Sequence, residues 1–251
     1  MTKQGDPAPE MAQLPLLIAP RDESTLEDFY PLPALQILLA AIRESGGSET
    51  TPERPGGELT TPKEPVHYLH GGRATGKSHL LQALCLQGDG SGVYLPLDTL
   101  SALQPEALLE GLEFGRIVAL DVLEAVAGQA VWEEALFHLV NRCRSSGCQL
   151  WFAARAPAQD IGIVLPDLRS RLMGGLLWAL PAHSDSEKLE ILRFRARRRG
   201  LQLSDAVLGY LAKRGGRALG EQLELLDRLD RASLQLQRPL TVPLVREVMG
   251  W

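Results

Sequence analysis

Gly71-Gly72-Arg73-Ala74-Thr75-Gly76-Lys77-Ser78 satisfies the pattern G-x-x-x-x-G-K-[ST], and its flanks give the pattern its meaning. Before it stands a short apolar run, VHYLH, at 66–70; after it a helical stretch opens with Ser78-His79-Leu80-Leu81. In the order strand, glycine-rich turn, helix, backbone N–H groups form a concave nest and the helix N-terminus adds the positive end of its dipole. Both are aimed at phosphate oxygens. In such a loop Lys77 reaches the outer phosphates and the Ser78 hydroxyl ligates Mg²⁺, so residues 71–79, His79 included, form the candidate nucleotide-binding segment. A glycine-rich turn without a ligand is the plainer alternative.

A second motif answers the first. RIVALD, at 116–121, is an apolar strand ending in Asp121, the acid expected on the Mg²⁺ side of a P-loop site. A hydrolytic site wants another acid next, to orient the attacking water. Here that position is Val122, and Glu124, three residues beyond Asp121, is expected to point elsewhere. The site is thus expected to bind a nucleotide and to hydrolyse it poorly.

Outward from these motifs the chain alternates. Apolar strands are expected at 66–70, 93–97, 116–121, 149–154 and 176–180, with helical stretches at about 77–87, 104–111, 131–145 and 166–172. Such alternation predicts βαβ crossovers and a parallel sheet covered by helices on both faces. Beyond Pro181 only helical patterns remain, at about 185–199, 205–214, 218–236 and 243–249, the first opened by a Ser184/Glu187 capping box. The expected organisation is an α/β domain over 23–181 and a helical domain over 182–251, preceded by a flexible segment over 1–22. A helix is expected at 33–43, and a Gly-, Pro- and Thr-rich surface loop at 45–65.

Composition narrows the classes further. The 251 residues are 45% hydrophobic and 23% charged with a net charge of −5, a globular balance that disfavours capture of nucleic acid by bulk charge. Cys85, Cys143 and Cys148 form an odd, unpatterned set, and the five histidines are scattered, so neither a disulfide framework nor a metal site is expected. Every apolar run is broken well short of a membrane span, and the first ten residues carry acids and prolines where a secretion signal would be apolar. A cytoplasmic protein is expected. Residues 187–217 hold nine Lys/Arg against three Asp/Glu. They read either as a solvated helix whose last turn complements its dipole or as a contact for DNA or an acidic partner.

With these residues placed, the chain resembles the DnaA-related AAA+ proteins, and specifically the Hda family, the regulatory inactivators of DnaA. GGRATGKSHLLQAL is similar to the P-loop segment of DnaA, and RIVALDVLEAVAGQAVWEEALFHLVNR to the acidic strand and its following helix. LPDLRSRLMGGLLWAL resembles the segment that carries an arginine finger, and LDRLDRASLQLQRPLTVPLVREVM the last helices of the lid. The chain stops at Trp251, where DnaA continues into a helix-turn-helix domain, which favours Hda over DnaA. So does Gln13-Leu14-Pro15-Leu16-Leu17-Ile18, similar to the peptide by which Hda docks on the sliding clamp, the β subunit of DNA polymerase III. Extended by its prolines, that peptide can offer Gln13 to a polar subsite and its leucines to an apolar groove. An N-terminal strand packed on the domain is the alternative reading of the same residues.

The resemblance implies a P-loop AAA+ fold with a helical lid and a resident nucleotide, ADP or another, with Mg²⁺. It also implies a role in preventing re-initiation of replication. Arg171 would be the finger, offered in trans to ATP held by DnaA, with Arg169 the second choice; partners would be the clamp and DnaA, with homo-oligomer formation and direct DNA contact left open and no membrane. Three positions depart from the family: Val122, Ala154-Arg155 where relatives carry a small polar or acidic sensor, and Gly220 where the lid arginine is expected, with Arg217 one turn earlier. The rivals are an autonomous ATPase of the DnaA or helicase-loader type, a P-loop kinase, and an adaptor with a vestigial P-loop. Val122 and Gly220 oppose the first, the C-terminal helices the second and the intact Lys77-Ser78 the third.

Overall fold

The computed structural model describes residues 24–47, 66–87, 92–216 and 218–251. Five parallel strands form one sheet: β1 (Val66–His70), β2 (Val93–Pro96), β3 (Ile117–Asp121), β4 (Gln149–Ala154) and β5 (Leu176–Ala179), in the order β2-β3-β4-β1-β5. The register aligns His70 with Ala154 and with Ala179, and Leu120 with Phe152. The C-terminal ends of the central strands therefore lie level, along one edge of the sheet.

The strands read as unbroken apolar runs because both faces are covered. Along β3 and β4 the residues alternate between two cores. Val118, Leu120, Leu150 and Phe152 face one side, Ile117, Ala119, Trp151 and Ala153 the other. Helix α1 (Gln36–Gly46) and α2 (Lys77–Cys85) cover the second side with Leu38, Leu39, Ile42, Leu80, Leu81 and Leu84. The first side is covered by α3 (Leu97–Leu100), α4 (Pro105–Leu109), α5 (Ala130–Ser146) and α6 (Pro166–Met173). Trp151 is fully buried, and the His67 ring stacks on it at 3.8 Å while accepting the Trp178 Nε1–H through Nδ1 at 3.3 Å.

Some boundaries shift for local reasons. Leu97 opens α3 rather than closing β2, since Pro96 supplies no N–H to extend a ladder. Ser45 and Gly46 belong to α1, so the region beyond the helix starts at Gly47; residues 48–65 lie outside the described residues. β5 is the sheet edge next to β1, and Leu176 and Leu177 are exposed there rather than enclosed.

After β5 the chain forms only helices: α7 (Asp185–Arg198), α8 (Asp205–Arg214), α9 (Leu219–Leu236) and α10 (Val242–Met249). The capping box at α7 is present, with Ser184 Oγ accepting Glu187 N–H and Glu187 Oε2 accepting Ser184 N–H at 2.7 Å. Ile191, Leu192, Ala196, Leu208, Leu219 and Leu226 close one lid core; Val207, Leu211, Leu229, Leu244 and Val245 close another. No helix among the described residues is long and apolar enough to cross a membrane.

Candidate functional site

Residues 71–76 run from the end of β1 into α2, and the loop is drawn tightly against its surroundings. A Cβ on Gly71 would come within 2.5 Å of the Leu180 carbonyl oxygen, and Gly76 caps α2 at φ +98° with its α-carbon facing the Phe29 ring. Only glycine fits either place. Ala74 is also left-handed at φ 56°. Thr75 Oγ1 donates to the Gly72 carbonyl at 3.1 Å, closing the loop on itself.

Lys77 is buried, and its Nζ donates to the carbonyls of Gly71 (2.6 Å) and Gly72 (2.7 Å). Burial holds its pKa below the ordinary lysine value, opposed by the carboxylates of Asp121 and Glu124. The ammonium is thus held at the mouth of the loop by weak acceptors that an anion would outcompete. Ser78 is exposed and His79 half-buried; His79 Nε2 lies 2.7 Å from the Thr25 carbonyl. Asp121 is buried at the end of β3, its Oδ2 accepting the Tyr94 hydroxyl at 2.8 Å and its Oδ1 the Val122 N–H at 2.9 Å. The two sequence motifs therefore meet at one edge of the sheet.

Val122 adopts φ 57°, ψ 48°, a conformation that is strained for a β-branched residue and costs on the order of 1–3 kcal/mol. The bend turns the chain into a 3₁₀ turn over Leu123–Ala125 and brings Glu124 back toward the loop, where its Oε1 pairs with Arg155 Nε at 3.0 Å. The expectation that Glu124 points away is corrected on this point: it faces a cation beside the P-loop.

The lid closes over the same edge. A Cβ on Gly220, near the start of α9, would lie 3.5 Å from the Ala74 Cβ, so a side chain there would look onto the P-loop. An apolar pocket abuts Ala74, Thr75 and Gly76, walled by Phe29, Tyr30, Ile191, Leu219 and Leu223. Sequence reading missed this pocket because its walls come from three distant segments. Arg198 pairs with Asp28 at 2.9 Å and Arg195 donates to the Asp28 carbonyl at 3.0 Å, latching α7 to the segment before α1. Lys188, Arg193 and Arg199 pair with Asp185, with Glu190 and Asp205, and with Asp227. Most of the basic charge of α7 is thus engaged within the protein.

Arg171 is elsewhere. It is exposed on the last turn of α6 and lines a groove of about 500 Å³ with Arg144, Asp167, Phe137 and Val66. Val66 begins β1, so this groove lies at the opposite end of the strand from the P-loop, about 13 Å away at 3.3 Å per residue. Arg169 is half-buried and does not line the groove. The start of α6 is fixed by Glu133, which sequence reading passed over. Buried on α5, its carboxylate accepts the N–H groups of Gly128 (2.6 Å), Val164 (3.0 Å) and Leu165 (2.6 Å). Gln13, Leu14, Leu16, Leu17, Ile18 and Arg217 lie outside the described residues.

With this geometry established, comparison with known proteins identifies the family. The profile described as "Hda, lid domain" matches residues 185–249, the span of α7–α10. An uncharacterized protein of Haemophilus influenzae is 37% identical over 242 residues, covering 95% of this chain and 98% of that one. The chain belongs to the Hda family of DnaA-related AAA+ proteins. In fold, this Hda-family chain is similar to domain III of the replication initiation protein DnaA of Thermotoga maritima, with a TM-score of 0.70 at 19% identity, covering 92% and 97% of the two chains. It is also similar to AMPPCP-bound DnaA from Aquifex aeolicus, with a TM-score of 0.66 at 20% identity, covering 86% and 68%. The α/β AAA+ fold with a helical lid is therefore the fold of this protein.

Proposed function

We propose that this Hda-family protein is a regulator of replication initiation that makes DnaA hydrolyse its own ATP. One observation carries the reading: Arg171 is exposed in a groove at the far end of β1 from the chain's own P-loop. No hydrogen bond or ion pair engages it among the described residues. An arginine so placed cannot serve a nucleotide bound in its own chain, and can serve one presented by a neighbour. Its planar, permanently charged guanidinium suits the charge that develops on phosphoryl oxygens, a contribution worth roughly 10³–10⁵ in rate for such fingers.

The chain's own site would hold a nucleotide, ADP or a related one, rather than consume it. The P-loop cradle, the buried Lys77 and the apolar pocket beside Gly76 fit phosphates and a base respectively. Ser78 and Asp121 would face a magnesium ion, which supplies charge neutralisation at the phosphates when bound. Val122 cannot orient a water, and Gly220 brings no lid charge over the loop. Gln13–Ile18 would bind the DNA-loaded sliding clamp and so bring Arg171 to DnaA in the cytoplasm, at the replisome.

The reading is tested by measuring hydrolysis of DnaA-bound ATP with this protein, with and without DNA-loaded clamp. Stimulation that requires the clamp supports it. Steady ATP turnover by the purified chain alone supports the autonomous-ATPase rival instead.

A further inference from the structure

An enclosed hydroxyl beside the phosphate loop has no part in that account. Tyr94 lies on β2, 8% exposed, and the register sets it opposite Ala119 of β3. Residues alternate along a strand, so Ala119 and Asp121 share a face, the one that α2 covers. On that face the Tyr94 hydroxyl donates to Asp121 Oδ2 at 2.8 Å. Asp121 is 2% exposed, and its Oδ1 accepts the Val122 N–H at 2.9 Å. Both oxygens are therefore held, one from the neighbouring strand and one from the left-handed bend that follows β3. Behind the hydroxyl stands Gln82 of α2, hydrogen-bonded to it. Gln82 follows Ser78 by four residues, so the two share a face of that helix.

A carboxylate free of such partners turns easily about its last torsion. Two donors from different directions remove that freedom for Asp121. Each of its oxygens has two lone pairs and gives one to its partner, so each keeps one. With the Ser78 hydroxyl these form a set of hard oxygen ligands, the chemistry that suits magnesium. Carboxylates that hold metal ions are themselves held by hydrogen bonds from behind, and loss of such a support lowers metal affinity by roughly 10–100-fold. Tyr94 stands in that supporting position, tied to β3 through Asp121 and to α2 through Gln82.

We propose that Tyr94 is a positioning residue for the magnesium-dependent part of nucleotide binding, an inference that rests on the P-loop reading above. Its hydroxyl fixes the Asp121 carboxylate relative to the face of α2 that carries Ser78, so a magnesium nucleotide meets both ligands already placed. Without the hydroxyl the chain keeps its phosphate nest and Lys77, and a nucleotide without metal loses nothing. Tyr94 acts through Asp121 and touches neither nucleotide nor ion. A tyrosine that only filled the core would be replaced by phenylalanine without effect on the metal.

The test is titration calorimetry on the full chain with ADP, once in magnesium and once in EDTA. Magnesium should tighten ADP binding to the unaltered chain, and the ratio of the two affinities is the readout. Tyr94→Phe keeps the ring and removes the hydroxyl. It should reduce that ratio by about tenfold and leave the affinity in EDTA within about twofold. Gln82→Leu frees the hydroxyl from α2 and should lower the ratio in the same direction; it carries the test if Tyr94→Phe does not fold. A packing role alone would lower both affinities in equal proportion and leave the ratio unchanged. A ratio that holds within about twofold in the folded variants overturns the proposal, as does an unaltered chain that binds ADP equally in magnesium and in EDTA; nucleotide binding stands in both cases. If the unaltered chain binds no ADP, or Lys77→Ala binds it as well as the unaltered chain does, the P-loop reading fails and the role of Tyr94 falls with it.

Discussion

Arg171 shares a groove with Val66, the residue that begins β1, and so stands at the opposite end of that strand from the loop in which Lys77 is buried. One strand thus separates an enclosed cation from an exposed one. Lys77 is enclosed and spends its protons on backbone carbonyls; Arg171 is exposed and engages no partner among the described residues. The first arrangement suits a resident ligand, the second a ligand carried by another molecule.

The resident-ligand half is tested at Lys77. Lys77→Ala should abolish binding of ADP, because the buried charge at the mouth of the loop is lost. In a thermal melt, ADP at a hundredfold excess over its Kd should stabilise the unaltered chain by about 2.7 kcal/mol and the variant not at all. Equal stabilisation of both chains would contradict the P-loop assignment.

The fold was legible in the sequence to a degree that follows from its physics. β1, β3 and β4 are buried on both faces, so VHYLH, RIVALD and QLWFAA stand out as apolar runs between turns. The helix ends were legible where caps exist, as at Ser184 and Glu187. The strand–loop–helix order around Gly71–Ser78 and the strand end at Asp121 were legible because each is a contiguous stretch with its own pattern. What stayed hidden depends on residues distant in the chain: the pocket between Phe29, Ile191 and Leu219, the latch of Arg198 to Asp28, and the pairing of Glu124 with Arg155. The backbone of Val122 was hidden for another reason. A β-branched residue gives no warning of a left-handed conformation, which here is imposed by the turn that follows β3.

Glu133 supports α6, the helix that carries Arg171. Glu133→Ala removes the buried carboxylate that accepts the N–H groups of Gly128, Val164 and Leu165. The expected loss is on the order of 3 kcal/mol, or roughly 6–12 °C in melting temperature for a chain of this size. Glu133→Gln, which retains one acceptor oxygen, should lose less. Thermal denaturation checks both, and an unchanged melting temperature for the alanine variant would show that those donors find other partners.

The clamp-binding assignment is tested by replacing Gln13, Leu14 and Leu16 with Ala. Binding to the sliding clamp, followed by surface plasmon resonance, should be lost while the melting temperature stays within about 1 °C, because a docking peptide adds nothing to the core. A large fall in melting temperature would instead identify the segment as a strand packed on the domain.

The central claim is that Arg171 acts on a nucleotide held by DnaA. The most direct measurement is the single-turnover rate of hydrolysis of DnaA-bound ATP in the presence of DNA-loaded clamp and either the unaltered chain or Arg171→Ala. The variant should keep its fold, its nucleotide and its clamp affinity, yet lose stimulation by about 10³–10⁵, equivalent to roughly 4–7 kcal/mol of transition-state stabilisation. Arg171→Lys should fail as well, because a point-charge ammonium does not reproduce the bidentate guanidinium fork. Stimulation by Arg171→Ala equal to that of the unaltered chain would contradict the account, and loss of activity in Arg169→Ala instead would move the role to that residue.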